Sequence, residues 1–77
     1  MKEEIIKEIN KVFEVNLTIE DIDKNIEDVI EWSSYEALLF MNYLQEKYQK
    51  KVLLKELVKL HKIGDMIDVI KSRKFGD

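Results

Sequence analysis

Apolar residues near the N-terminus recur at intervals of three and four, and lysine and glutamate fill most of the positions between them. The apolar residues are Ile5, Ile6, Ile9, Val12 and Phe13. This spacing places them on one face of a helix. It predicts an amphipathic helix over about residues 2–15.

The stretch from Asn16 to Ser33 has no single period. Its apolar residues are Leu17, Ile19, Ile22, Ile26, Val29 and Ile30. They are spaced too irregularly for one long helix, so we expect a loop that contacts the core at intervals. Within it, Thr18 and Asp21 have the spacing that caps a short helical turn. A loop this long in so small a chain usually has a functional reason.

The most apolar helix is predicted to begin at Ser33 or Ser34 and to end at about Gln49. Ser33 and Glu36 match a capping box, in which the two residues satisfy each other's backbone amides. The apolar residues that follow are Leu38, Leu39, Phe40, Met41, Tyr43, Leu44 and Tyr48. They occupy more than one side of the helix, which is typical of the central helix of a bundle.

Two further helices are predicted near the C-terminus. A short one covers residues 54–60, His61 and Lys62 interrupt it, and a last one covers about residues 63–74, followed by a frayed tail. The chain has no proline and only two glycines. The predicted fold class is all-α: a small four-helix bundle of three longer helices plus one short helix, with a long loop between helices 1 and 2.

Length and composition exclude several classes of protein. With 77 residues, a single domain over residues 1–77 is expected. The absence of cysteine excludes a disulfide framework, a thiolate zinc site and a cysteine nucleophile. No window of about 18 uncharged apolar residues exists, so no membrane span is expected. The charged N-terminus does not resemble a secretion signal, and we predict a cytoplasmic protein.

Charge is distributed unevenly along the chain. Residues 1–36 hold four lysines against eleven acidic residues, whereas residues 37–77 hold nine basic residues against five acidic ones. General binding to nucleic acid requires a basic face without a competing acidic one. Nucleic acid is therefore not an expected partner.

Metal and catalytic motifs are weak. Asp21, Asp23 and Asn25 imitate the start of an EF-hand loop, but Ile26 and Trp32 occupy the positions that need glycine and glutamate. The single histidine, His61, has no second ligand at a metal-binding spacing. No metal site and no enzymatic activity are expected.

The two adjacent serines remain as candidate functional residues. If Ser33 is the helix cap, Ser34 is the first helical residue, and its side chain lies outside the capping hydrogen bonds. The free amides and the dipole at a helix N-terminus favour a phosphate. A phosphodiester on Ser34 would be stabilised there, although serines that only cap helices are common.

Three stretches resemble the acyl carrier protein family. The run Trp32-Ser33-Ser34-Tyr35 resembles the Trp-Asp-Ser-Leu form of its motif, and residues 44–48 resemble its Leu-Glu-Glu-x-Phe. Residues 63–70 resemble its closing Val-x-x-x-Ile-x-x-Ile pattern. The similarity covers nearly the whole chain. That family is a small four-helix bundle with a long first loop.

The resemblance implies a function and a set of partners. Ser34 falls on the serine that carries covalent 4′-phosphopantetheine, with Ser33 as the alternative, because the count from Asp28 to the motif is one residue longer than expected. A phosphopantetheinyl transferase would attach the arm. Acyl-transferring, ligase or synthase enzymes of fatty-acid, polyketide or related biosynthesis would then act on acyl or aminoacyl thioesters carried by a monomer. The residues implied in partner docking are Tyr35, Glu36, Leu38 and Asn42.

The sequence also departs from the family pattern. Ser33 replaces the motif aspartate and Tyr35 replaces the leucine. Lysines accompany the acidic residues of the predicted second helix, which would weaken docking to basic partner surfaces. Two alternatives therefore remain: an unmodified interaction module with this fold, and an unrelated small helical adaptor. A further hypothesis is that six apolar residues line a site for the carried chain: Leu38, Leu39, Phe40, Leu54, Leu57 and Val58.

Overall fold

The computed structural model of the chain describes residues 2–71. Its helices are α1 (Lys2–Phe13), α2 (Ile26–Val29), α3 (Ser34–Tyr48), α4 (Leu54–Leu57) and α5 (Ile63–Lys71), with a 3-10 turn at Ile19–Asp21. No strand occurs within the described range. The all-α prediction is confirmed, with three longer helices and the short α4. The one-turn helix α2 was not predicted.

Helix α1 ends two residues earlier than the apolar spacing predicts. Glu14 takes a left-handed backbone conformation, with φ of 55°, and this conformation stops the helix at Phe13. The chain then turns back along α1 and is held by the side chain of Asn10. That amide donates to the carbonyl of Leu17 over 3.0 Å and accepts from the Leu17 amide over 2.8 Å. Asn10 therefore fixes where the long loop begins.

The segment predicted as a loop contains two short ordered elements. Thr18 and Asp21 form the expected capping box around the 3-10 turn. The prediction of irregular structure was wrong for residues 26–29, which form α2. Acidic Glu27 and Asp28 lie in its first turn and complement the helix dipole. Ile26, only 1% exposed, attaches α2 to the core.

Backbone hydrogen bonds hold the long loop against the connection between α4 and α5. The Ile26 amide donates to His61 over 2.7 Å, and the Ile63 amide donates to Lys24 over 3.0 Å. The Gly64 amide donates to the carbonyl of Ile22 over 2.8 Å. A Cβ atom at position 64 would lie 3.2 Å from that carbonyl oxygen, so glycine permits this close approach.

Helix α3 is the central helix, as its apolar residues predicted. Ala37, Phe40 and Leu44 are fully buried, and α3 contacts both α1 and α4. It ends at Tyr48, and the C-cap residue Gln49 adopts a left-handed conformation with φ of 52°. Helix α4 ends at Leu57 rather than at residue 60, because the chain turns at residues 58 and 59.

The predicted inward face of the last helix is confirmed. Ile63, Met66, Ile67 and Ile70 are all buried. Helix α5 is described as far as Lys71, so its predicted end at residue 74 and the predicted tail lie outside the described residues. Burial of apolar side chains from α1, α2, α3, α4 and α5 in one cluster is the main stabilising contribution to the fold.

A polar cluster joins α1 to the C-terminal half of α3. The carboxylate of Glu8 accepts from the hydroxyl of Tyr43, from the hydroxyl of Tyr48 over 2.8 Å and from the ammonium of Lys47 over 2.7 Å. Partial burial raises the pKa of Glu8, but these donors outweigh it and hold the pKa below its usual value. Burial is the main reason that the pKa of Tyr43 is raised, and the hydrogen bond to Glu8 raises it further.

Candidate functional site

The candidate site is the serine junction, which we define as residues 31–36, where the long loop passes into α3. Ser33 is the N-cap and has an extended backbone, with φ of −119° and ψ of −176°. Its amide and its hydroxyl both donate to the carboxylate of Glu36, the former over 3.3 Å, and the predicted capping box is present. The Ser33 carbonyl accepts from the Ala37 amide over 3.0 Å. The cap predicted from the sequence is therefore confirmed.

Ser34 is the first residue of α3 and is exposed. Its hydroxyl forms no hydrogen bond with any residue of the described range 2–71. The amides of the first helical turn have no partner further back in the helix. An exposed hydroxyl thus lies at the positive end of a 15-residue helix. This is a chemically available nucleophile beside donors suited to a phosphate.

Glu36 has a local role in this geometry. Hydrogen bonds from the Ser33 hydroxyl and from backbone amides lower the pKa of the Glu36 carboxyl, so it is ionised at neutral pH. The carboxylate accepts from Ser33 and Glu36 remains partly exposed, and its docking role stays a prediction.

Tyr35, Leu38 and Asn42 lie on one face of α3, because they are three and four residues apart. Tyr35 is 65% exposed and Leu38 is 41% exposed, and Asn42 is exposed as well. These three side chains form a continuous surface that begins beside Ser34. We call it the junction face.

The six apolar residues suggested to line a site for a carried chain do not share one environment. Phe40 and Leu57 are fully buried, whereas Leu38 and Val58 are each 41% exposed. Leu39 and Leu54 are partly buried. Phe40 and Leu57 therefore belong to the ordinary core, and Leu38 belongs to the junction face.

Trp32 lies in the loop just before α3 and holds the serine junction against the core. Its ring contacts Phe13 and Phe40 edge to face, with centroids 5.9 Å and 6.2 Å apart. Its indole N–H donates to the backbone carbonyl of Leu57 over 3.2 Å. Sequence reasoning missed this bond, although a partly buried tryptophan generally requires a partner for its N–H. The partner is a backbone atom 25 residues away, which no local pattern identifies.

Two depressions flank the start of α3. A cavity of about 180 Å³ is lined by Asn25, Glu27, Trp32, Leu60 and His61. A cleft of about 320 Å³ lies between the end of α1 and the start of α3, and Tyr35 and Glu36 line part of it. The serine junction therefore lies between two depressions, and neither contains Ser34 in its lining.

The residues that imitate an EF-hand have other roles. Asp21 accepts from the Thr18 amide over 2.8 Å and pairs with Lys24 over 2.8 Å. Asn25 is the residue before α2, and Asp23 is exposed. Within residues 2–71, no group of three or more histidine, cysteine or acidic side chains is arranged to hold a metal ion.

Comparison with protein-family models, with curated proteins and with solved structures found no match to this chain. No helix between residues 2 and 71 combines the length and the apolar character needed to cross a bilayer.

Proposed function

We propose that this protein is a carrier whose Ser34 hydroxyl bears a 4′-phosphopantetheine arm. The observation that carries the proposal is the difference between the two serines. The Ser33 hydroxyl is engaged in the cap of α3, whereas the Ser34 hydroxyl is exposed and makes no hydrogen bond within the described residues. This division favours Ser34 over Ser33 as the attachment site. The resemblance of residues 32–35 to the carrier motif indicates which group Ser34 would carry.

The residues at the junction suit a phosphodiester. Ser34 begins a helix of four turns, and a helix of this length has a positive N-terminal end. The amides of Ser34 and Tyr35, in the first turn of α3, have no partner further back in the helix and are donors suited to a phosphate. A negatively charged group on Ser34 would therefore be stabilised without rearrangement of the cap formed by Ser33 and Glu36.

In the modification step, the Ser34 oxygen attacks the pantetheine-side phosphorus of coenzyme A. A bond forms between that oxygen and phosphorus, the bond from the same phosphorus to the bridging oxygen breaks, and adenosine 3′,5′-bisphosphate leaves. The hydroxyl proton passes to a base of the transferase. The attached arm supplies a terminal thiol that holds an acyl or aminoacyl group as a thioester.

The protein itself catalyses nothing in this proposal. Its work is to present the carried group, because a flexible tether raises the effective concentration of that group at a partner's active site. The junction face lies where a transferase or a synthase must contact the chain to reach Ser34. Tyr35 and Leu38 supply apolar contact area and Asn42 supplies a polar group on that face.

The exposure of Tyr35 and Leu38 also favours a second candidate function, an unmodified interaction module that docks through the junction face. Large apolar residues that remain exposed on one helix face are typical of interaction surfaces. Ser33 replaces the aspartate of the carrier motif, and this departure from the motif agrees with a protein that is not modified. Whether Ser34 is modified separates the two candidates.

The test is the intact mass of the protein after incubation with coenzyme A and a broad-specificity phosphopantetheinyl transferase. Ser33→Ala and Ser34→Ala variants serve as matched controls. The carrier proposal predicts the gain of one phosphopantetheine, abolished by Ser34→Ala and retained by Ser33→Ala.

Two other results are informative. A gain abolished only by Ser33→Ala would keep the function and move the attachment site to Ser33. No gain by the folded protein, also with a transferase from the source organism, would contradict the carrier proposal and favour the interaction module.

A further inference from the structure

Trp32 makes a contact that the carrier function described above does not use. Its indole N–H donates to the carbonyl of Leu57 over 3.2 Å. Leu57 is the last residue of α4, and the same carbonyl accepts from the Leu60 amide over 3.1 Å. Because α4 is a single turn, its terminal carbonyls need partners outside the helix. Trp32 supplies one of them and so links the loop before α3 to the end of α4.

The aromatic ring of Trp32 is held on two other sides. The ring of Phe13 lies at 66° to it, and the ring of Phe40 lies at 67° to it. These edge-to-face arrangements are favourable for aromatic pairs. One side chain therefore contacts the end of α1, the middle of α3 and the end of α4.

Only one residue separates Trp32 from Ser34. That residue, Ser33, is extended and is fixed on its other side by Glu36. The orientation of Ser34 at the start of α3 is thus set by two attachments. One is the cap formed by Ser33 and Glu36, and the other is Trp32 in the preceding loop. Loss of the cap would remove the attachment within α3, whereas loss of the Trp32 bond would remove a link between the loop before α3 and the end of α4.

We propose that Trp32 is a positioning residue for Ser34, and that its hydrogen bond to Leu57 transmits the position of α4 to the start of α3. The consequence for function rests on the proposed modification of Ser34. A transferase needs the hydroxyl in one orientation for attack on phosphorus, and a freely moving junction would present that orientation less often. Loss of the Trp32 bond should therefore lower the rate of the chemical step more than it weakens the binding of the transferase.

Trp32 is the only tryptophan in the chain, so it can be replaced by analogues during expression. Benzothienylalanine keeps the shape and the aromatic contacts but has sulfur in place of the N–H. The 5-fluorotryptophan form keeps the N–H and is the matched control. A Trp32→Phe variant, which also lacks the donor, provides an encoded counterpart.

The first readout is the transferase reaction with coenzyme A. We expect the benzothienylalanine form to show a kcat about 3-fold to 10-fold lower than the fluorotryptophan form, with little change in KM, since one hydrogen bond is lost. The second readout is hydrogen exchange at the Ala37 amide, which is bonded to the Ser33 carbonyl. Exchange at Ala37 should become faster, while exchange at the Gln49 amide at the other end of α3 should not.

The outcomes separate this inference from the proposed function. Unchanged kcat, KM and Ala37 exchange would overturn the positioning role of Trp32. Equal acceleration of exchange at Ala37 and Gln49 would also overturn it, because it would show a general loss of stability. If none of the forms is modified, the carrier proposal fails. Ala37 exchange then still decides whether Trp32 positions the start of α3.

Discussion

The carboxylate of Glu36 accepts hydrogen bonds from both the amide and the hydroxyl of Ser33. This pair closes the N-terminal end of α3 and leaves the neighbouring Ser34 outside the bonding pattern. Two adjacent residues of the same type thereby acquire different roles. One stabilises the helix, and the other presents an exposed hydroxyl at its positive end.

Ser33→Ala should therefore destabilise the unmodified protein, and Ser34→Ala should not. Replacement of a serine N-cap by alanine costs about 1 kcal/mol, which corresponds to a fall in Tm of about 4–8 °C in a domain of this size. Ser34→Ala should change the free energy of unfolding by less than about 0.5 kcal/mol. Thermal unfolding of both variants beside the parent protein measures this difference. A larger loss of stability for Ser34→Ala than for Ser33→Ala would show that Ser34, and not Ser33, caps α3.

Glu8→Gln should weaken the attachment of α1 to α3 in a pH-dependent manner. The pKa of Glu8 is lowered in the folded state, so its stabilising contribution is fully present above its unfolded pKa and is lost as pH falls through the folded pKa. At neutral pH we expect Glu8→Gln to cost about 1–3 kcal/mol.

That cost should shrink as the pH is lowered through the acid range, because Glu8 of the parent protein becomes protonated. Urea unfolding at neutral pH and in the acid range measures both values. Glu4→Gln, at an exposed position of α1, is the matched control and should show little effect at either pH. A cost that stays constant with pH would contradict the proposed role of the Glu8 charge.

Local patterns were sufficient to predict much of the fold and part of the site. The three- and four-residue spacing of Ile5, Ile6 and Ile9 predicted α1, and the spacing between Ser33 and Glu36 predicted the cap of α3. Both signals lie within a few residues, so physics that acts over one helical turn is enough to identify them. The start of α5 at Ile63 was predicted for the same reason.

Features that depend on distant contacts were missed. Helix α2 is only four residues long, which is too short to show a helical period, and it is stabilised by the burial of Ile26. The bond from Trp32 to Leu57 joins residues 25 positions apart and ends on a backbone atom. The early end of α1 depends on the left-handed backbone of Glu14, a residue type that does not signal such a conformation.

Leu57→Ala should destabilise the protein strongly because Leu57 is fully buried. Removal of a buried leucine side chain costs about 2–5 kcal/mol, a large part of the stability of a small domain. Leu53→Ala is a matched control four positions away, since Leu53 is 62% exposed. It should change the free energy of unfolding by less than about 0.5 kcal/mol. Urea unfolding of both variants tests the prediction, and equal costs would contradict the described burial of α4.

Lys50→Met should weaken the attachment of the segment that follows α3 to α5. The ammonium of Lys50 donates to the carbonyls of Val69, over 2.9 Å, and Ile70. Val69 and Ile70 belong to the described part of α5, so these bonds attach Lys50 to that helix. Because methionine keeps most of the apolar stem and removes the charge, the expected loss is about 1–2 kcal/mol.

Lys51→Met is the control for the effect of charge alone, because Lys51 is exposed and makes no ion pair within residues 2–71. Both variants change the net charge of the protein equally, so a difference between them reports the contacts of Lys50. Urea unfolding should show the loss for Lys50→Met only. Hydrogen exchange should become faster in the last turn of α5 in that variant and remain unchanged at the start of α3. Similar losses in the two variants would show that net charge, and not the bonds to α5, accounts for the contribution of Lys50.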